Sequence, residues 1–433
     1  MKVQEHIDKI SWSVADKFLY VIYGVVTLFQ MKALDPNEYG LYGLLINLHT
    51  WVFIAGDAFL SNVIQFGMNK ENRQKANTYS LILITAFTMS IALIVFIFNP
   101  VISSVFKLPR FSEIALVLPV LSLIFIPRVF CIKLIFRDSD MKKLFFVNFA
   151  FFFTLSAITV FLIATRGMLT FKSMVYMYLI GSTVSSLIAV IITRKKMEFG
   201  FKGNISIKRM LSFDLPLMFI GAINALPKQL DIYIIQYFFS TSVVGIYFSA
   251  KSLFRFFEES AGAALGLVYP AAVRQLEHKN YKGLNDLMTK SVSFLFVSFI
   301  IIVIILESGV SNFLITAFLP VKYHLAVGQF NLLILASVGL PFVVLSSIIN
   351  AAEKPLKLFV FILTAFVFSV ITFYLVGISG NQNLIPLGQI AYILILGSLC
   401  FLYIKRNFGF KISQLFRSVN DTYSYLKQRF SKS

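Results

Sequence analysis

Charge is the scarcest ingredient of this 433-residue chain: Asp, Glu, Lys and Arg together make up 14%, against the usual quarter or so. That shortage excludes the two or three soluble domains that length alone would suggest. Cysteine is nearly absent too. Cys131 and Cys400 both lie inside apolar segments, so a disulfide framework is not expected. There are 4 histidines and no His/Cys cluster at ligand spacing, so no metal site is expected. No Gly-rich phosphate loop occurs, and no cofactor is expected either. Lys32-Ala33-Leu34, after the first apolar segment, is a poor small-x-small cleavage site; that segment is expected to stay as a span.

What the chain has in abundance is apolar surface: 58% hydrophobic residues, 48 Phe and a mean hydropathy of +0.81. A helix that crosses a bilayer needs about 20 mostly apolar residues, and such segments follow one another along the sequence. The expected fold is an all-α polytopic membrane protein with about twelve transmembrane helices. They fall at 13–33, 39–66, 77–100, 112–136, 143–165, 171–193, 212–237, 242–270, 289–308, 325–350, 356–377 and 384–404.

The net charge of +19 is a topology signal before it is a binding signal, and no nucleic-acid partner is expected. Of the 39 Lys and Arg, 27 lie in or beside one alternating set of connections that includes both termini. Six lie in the other set: Lys32, Lys107, Arg110, Arg166, Lys172 and Lys322. The positive-inside rule then puts both termini in the cytoplasm. No connection is long enough for a folded domain, so the work is expected within the membrane. From Phe408 onward Ile412, Leu415, Phe416, Val419, Tyr423, Leu426 and Phe430 recur at helical steps among Lys and Arg. That segment reads as a basic amphipathic helix, lying on the anionic leaflet or packed under the bundle.

Two turns show an internal repeat. Ala33-Leu34-Asp35-Pro36-Asn37-Glu38-Tyr39-Gly40-Leu41-Tyr42 follows the first span and Phe238-Phe239-Ser240-Thr241-Ser242-Val243-Val244-Gly245-Ile246-Tyr247 the seventh. Gly40 and Tyr42 superpose on Gly245 and Tyr247 at an offset of 205. Both halves begin on the same side, so the repeat is parallel, with any site between the halves. The expected organisation is a six-helix bundle over 1–193, a basic linker over 194–211, a second six-helix bundle over 212–404 and a basic tail over 405–433.

The charges inside spans carry the functional signal. A charge at the bilayer centre costs roughly 2.5–3.5 kcal/mol even on insertion-based scales. Lys251, Arg255, Glu258 and Glu259 crowd the eighth span at three- and four-residue steps, along one helix face. Lys228 and Asp231 share a face of the seventh, beside Pro227, where a kink is expected. The first half is sparser: Asp57 in the second span, with His49 eight residues earlier, Arg128 and Lys133 in the fourth, and Asp16 and Lys17 near the inner end of the first. Asp16, Lys17 and Lys133 are expected to snorkel, and His49 to be a satisfied packing histidine. Gly262-x-x-x-Gly266, with Ala261 and Ala264, is expected to pack against a neighbouring helix. Tyr20, Tyr23, Tyr233, Tyr237 and Tyr247 suit sugar stacking or the interfacial belt.

The turn LDPNEYGLYGLL, the run GDAFLSNVIQFG closing the second span, and LPKQLDIYIIQYFFSTSVVGIYFSAKSLFRFFEESAGAALGLVYPAAVR resemble the polysaccharide biosynthesis (Wzx-type, O-antigen) flippases. These belong to the multidrug/oligosaccharidyl-lipid/polysaccharide exporter superfamily. The resemblance implies two six-helix lobes around a central cavity. It also implies passage of an undecaprenyl-diphosphate-linked oligosaccharide to the outer leaflet of the bacterial cytoplasmic (inner) membrane, as in lipopolysaccharide assembly, with membrane lipid around the tail and contact with a glycan polymerase. On that reading Arg128, Lys228, Lys251 and Arg255 line the cavity for the diphosphate, since Arg offers a bidentate fork and Lys a movable charge. Asp57, Asp231, Glu258 and Glu259 balance that charge or take a coupling proton or Na+. The competing reading of Arg255 with Glu258/Glu259 and of Lys228 with Asp231 is structural ion pairing. Two other functions compete. A multidrug/cation antiporter of the same fold would favour an acidic cavity. A membrane polysaccharide polymerase or acyltransferase would need a catalytic constellation, which the chain lacks.

Overall fold

The computed structural model describes residues 3–410, with side chains from Ser11 onward apart from Val14. The tail expected to form an amphipathic helix lies, beyond Phe410, outside the described residues. Apart from short helices over 99–105 and 311–318, which fall in expected connections, the α-helices are built on the apolar runs read above: α1 Val3–Ala33, α2 Pro36–Leu60, α3 Asn62–Gln65, α4 Arg73–Ile97, α5 Asn99–Val105, α6 Phe111–Arg137, α7 Met141–Arg166 and α8 Phe171–Thr193. After a basic connection come α9 Ile207–Gln229, α10 Asp231–Phe238, α11 Thr241–Glu277 and α12 Tyr281–Ile305. The chain closes with α13 Ser311–Phe318, α14 Leu325–Ala336, α15 Leu340–Val343, α16 Ser346–Ala351, α17 Pro355–Ser379 and α18 Leu387–Phe408. No strand occurs among the described residues.

Among the described residues, eleven stretches are long and apolar enough to cross a membrane. The eighth expected span is α11, 37 residues long, whose Lys251, Arg255, Glu258 and Glu259 break its apolar run. Helix ends are set locally. Asp35 caps α2 by accepting from the Asn37 amide at 3.1 Å, with Pro36 in the first turn. Thr170 and Ser206 cap α8 and α9 in the same way. Pro216 and Pro227 both sit inside α9, and the chain breaks at Leu230 before resuming as α10. The break therefore falls three residues beyond the proline expected to kink it, and Lys228 and Asp231 lie on opposite sides of it.

By its contacts the chain divides into two units, Met1–Phe248 and Ser249–Ser433. In the first, α2 is the central post. It packs against α4, α6, α8 and α9, and its residues are buried almost all round. Phe53, Phe59, Leu60, Ile84, Ile126, Phe130, Leu134 and Val147 form the core beside it. Two hydrogen bonds tie later helices to it: Trp51 Nε1 donates to the Ala222 carbonyl at 3.1 Å, and the Tyr233 hydroxyl donates to the Leu44 carbonyl at 3.0 Å. At the end of the bundle where α2 begins, Arg110 donates to Glu38 and, at 2.6 Å, to Glu113. Glu38 also accepts from the Phe171 amide at 2.7 Å, so one carboxylate joins the ends of α2, α6 and α8. Hydrogen bonds to Glu113 and Glu38 push the Arg110 guanidinium above its ordinary value.

In the second unit α17 and α18 pack side by side, with α15 and α14 on α18. Gly388 sits under the ring of Phe373, and Gly397 meets the Gly339 carbonyl. A π turn over Leu306–Val310, with Gly309 at φ 107°, joins α12 to α13.

The repeated glycines meet. A Cβ on Gly40 would stand 2.8 Å from the Gly245 nitrogen, and one on Gly245 would stand 2.9 Å from the Gly40 nitrogen. Each would also strike a carbonyl, that of Thr241 or Pro36 respectively. Residues 36 and 241 are separated by the same 205 positions as 40 and 245, so the start of α2 and the start of α11 cross with each making the other's contact. One turn on, Gly43 lies under the Phe248 ring, again at that offset. Overpacking of a tight contact costs typically 1–3 kcal/mol. Gly40→Ala and Gly245→Ala are each expected to lower the melting temperature of the detergent-solubilised protein by several degrees, whereas Gly24→Ala, where a Cβ meets nothing, leaves it unchanged. Equal melting of all three would refute the close crossing.

Candidate functional site

Polar side chains inside the spans of the first unit form a chain of partners. Arg128 of α6 is 8% exposed. Its Nε donates to Ser185 Oγ of α8 at 2.9 Å and its Nη2 to Asn148 Oδ1 of α7 at 2.6 Å. The guanidinium also lies over the rings of Phe151 and Phe125, 4.8 and 5.1 Å from their centroids. Asn148 uses its other end to donate to Asp16 Oδ1 of α1 at 2.7 Å. Asp16 is 5% exposed. It does not snorkel to an interface; it is the buried end of a relay across α1, α7, α6 and α8. The sequence carries one signal for this, a lone Asn148 in the run LFFVNFAFFF, where an amide needs partners.

Asp57 of α2 accepts from Lys133 of α6 at 2.8 Å. Lys133 is thus paired across two helices and is not a snorkelling surface charge. His49 is buried among Phe53, Phe125 and Tyr178, with ring centroids 4.7–5.8 Å away, so it packs as expected, but it is not satisfied: Nε2 finds no hydrogen-bond partner. Asp231, first residue of α10, is buried and accepts the Tyr247 hydroxyl at 3.0 Å. Lys228, three residues earlier, is exposed.

On α11 the four charges separate by face. Lys251 is buried at 6% exposure. Glu258 is half-buried and accepts from Gln389 Nε2 of α18 at 3.4 Å. Arg255 and Glu259 are exposed, and among the described residues Arg255 pairs with neither Glu258 nor Glu259. Gly262 and Gly266 meet nothing within 4 Å of a built Cβ. The glycine pair therefore does not serve as the packing seam expected of it. Residues 255, 259, 262 and 266 follow at four- and three-residue steps, so a guanidinium, a carboxylate and two bare stretches of backbone share one open helix face.

Asp214 of α9 attracted no attention in the sequence, yet it is fully buried and accepts from Asn62 Nδ2 of α3 at 2.5 Å. Among the described residues no group of three or more His, Cys, Asp or Glu could hold a metal ion.

The sequence pattern of the family described as "Polysaccharide biosynthesis protein" matches residues 32–328. The chain belongs to that family. Two solved structures share its fold. The inward-facing conformation of a multidrug resistance MATE family transporter of the MOP superfamily superposes with a TM-score of 0.77 at 14% identity, covering 92% of this chain and 96% of that one. The lipid II flippase MurJ in its inward closed conformation superposes with a TM-score of 0.76 at 14% identity, covering 98% and 93%. No curated protein matches the sequence. The polysaccharide biosynthesis match takes in the glycine crossing and every charge from Lys228 to Glu259, and stops short of Asp16.

Removing one member of a buried, hydrogen-bonded charge network costs roughly 3–5 kcal/mol, and a lysine cannot reproduce the two-pronged contact of Arg128. Arg128→Ala and Arg128→Lys are both expected to lower thermal stability markedly. Arg255→Ala, at an exposed position, should stay within about 0.5 kcal/mol of the parent. Scanning fluorimetry of the purified variants checks the order.

Proposed function

We propose that this family member is a flippase that carries a polyprenyl-diphosphate-linked oligosaccharide from the inner to the outer leaflet of the bacterial cytoplasmic membrane. The observation that carries the reading is the open face of α11. Arg255 lies fourteen residues into that helix, about 21 Å from its start at 1.5 Å per residue. The hydrocarbon core is about 30 Å thick, so the charge falls within it and is costly to turn toward lipid. It needs water or an anionic ligand beside it. A diphosphate fits a guanidinium bidentately, and the backbone laid bare at Gly262 and Gly266 gives a bulky headgroup room to slide along the same face. Membership in a polysaccharide biosynthesis family supports a glycan-linked substrate.

Arg255, exposed on α11, is assigned to the headgroup. Arg128 and Lys251, both buried, hold the surrounding helices in register, and Asp231 and Asp57 set local charge. The excess of Lys and Arg in one set of connections supports cytoplasmic termini. Two six-helix lobes, 1–193 and 212–404, rock to give alternating access. Because a ligand that binds both states equally shifts neither, an ion gradient supplies the direction.

Arg255→Ala is expected to abolish surface polysaccharide in a deletion strain while the protein inserts at parental levels. Glycan restored to parental amounts by that variant would overturn the assignment. Loss of drug resistance in the deletion strain, with intact glycan, would favour export of small cations instead.

A further inference from the structure

We infer that Asp214 is the proton-carrying group of this transporter, held neutral against Asn62 when α9 is packed on α2 and α3, and that it releases its proton when that contact opens. The inference rests on the flippase reading above and names the ion and the residue that drive it.

Asp214 and Asn62 are both 0% exposed. Asp214 lies two residues before Pro216, in the first third of α9; Asn62 opens α3 directly after α2. Around the pair stand Phe59, whose carbonyl is 3.5 Å from Asn62 Nδ2, and the Phe66–Phe213 ring contact at 5.7 Å. The site is apolar apart from the two side chains themselves.

The hydrogen-bond inventory is short of donors. Asn62 Nδ2 gives its proton to Asp214 Oδ2, while Asp214 Oδ1 and Asn62 Oδ1 are both buried and without a partner. An ionised carboxylate is acceptor-only, so the charged form leaves two buried oxygens facing no donor. No ion pair among the described residues includes Asp214. A buried carboxylate without a counter-charge is costly enough that such groups take up a proton instead. One proton on Asp214 removes the charge and supplies a missing donor. A metal cation is a poorer occupant, because two side-chain oxygens fall far short of the six or more ligands that hard cations gather.

The other titratable groups on the elements packed against α9 do not meet the need. Asp57 of α2 is committed to Lys133. Glu38 sits at the far end of α2, bound to Arg110 and Phe171. His49 is midway along α2 among its aromatic rings. Asp231 of α10 lies seventeen residues further along, bound by Tyr247. On α9 itself Lys208 and Arg209 are exposed, and Arg209 lies over the Phe66 ring at 5.9 Å. The neutral form suits the packed arrangement and the charged form suits one that admits water. Protonation therefore biases whether α9 stays docked on α2 and α3.

The test uses the full-length protein in lipid nanodiscs, in a Trp12→Phe background that leaves Trp51 as the single reporter of α2–α9 packing through its bond to Ala222. On alkaline titration Trp51 fluorescence should change together with loss of an infrared band of a protonated carboxyl. Asp214→Asn, isosteric and permanently neutral, should show neither change and should lose at least tenfold in surface glycan in cells. Asp214→Glu, a second variant, should keep the band at a displaced midpoint. An unchanged fluorescence transition in Asp214→Asn, such as His49 would give, overturns the inference; so does an unchanged carboxyl band, or parental glycan levels. The spectroscopic arm contains no glycan. Failure of the parental chain to restore surface polysaccharide therefore counts against the flippase reading alone.

Discussion

Lipid offers no hydrogen bonds, so each polar group on these helices must find its partner within the protein or beside water. That constraint orders the first unit. Gln30 of α1 donates to Thr159 of α7 at 2.8 Å. About four turns nearer the N-terminus of α1, Asp16, Asn148, Arg128 and Ser185 close the same helices together. Tyr233 and Trp51 reach back to carbonyls across the α2 contacts. All but the Arg128–Asn148 link, which joins the consecutive α6 and α7, connect helices that are not neighbours in sequence, and none is replaceable by the surrounding apolar packing, which is non-directional. The polar bonds fix which helices are neighbours; the phenylalanines fill the space between them.

The same constraint makes exceptions informative. A buried group left short of partners, or an exposed charge at mid-helix, has no structural excuse for its cost. Asp214 with Asn62 is the first kind, and Arg255 with Glu259 the second. They sit in different units and differ in chemistry: the first is proposed above as a site for a proton, the second as a face for an anion. A transporter needs both, since a headgroup site alone supplies no direction.

Much of this was legible in the sequence because it depends on composition and local rules. The spans follow from apolar runs, and the start of α2 from Asp35-Pro36. What was not legible depends on which helix faces which. Asp16 looks like an interfacial residue until Asn148 of α7 is brought to it. Lys133 looks free until Asp57 is seen opposite. Gly262 and Gly266 have the spacing of a packing seam, but spacing cannot say whether a partner helix is there. Asp214 lies too near the end of its span for its burial to be read from position.

The crossing of α2 and α11 at Gly40 and Gly245 has a consequence for ancestry. Pro36 meets Gly245 as Thr241 meets Gly40, so the contact is isologous, the kind that two identical subunits make about a two-fold axis. A half-length ancestor could have formed it with a second copy of itself. In such a dimer any change at the crossing would have been imposed on both sides at once. Joining two such copies in one chain would free the sides to diverge: here one enters the crossing through the capped turn Asp35-Pro36-Asn37-Glu38, the other through Ser240-Thr241-Ser242-Val243. The glycines, where two backbones touch, and the tyrosines two residues on, Tyr42 and Tyr247, are the same on both sides.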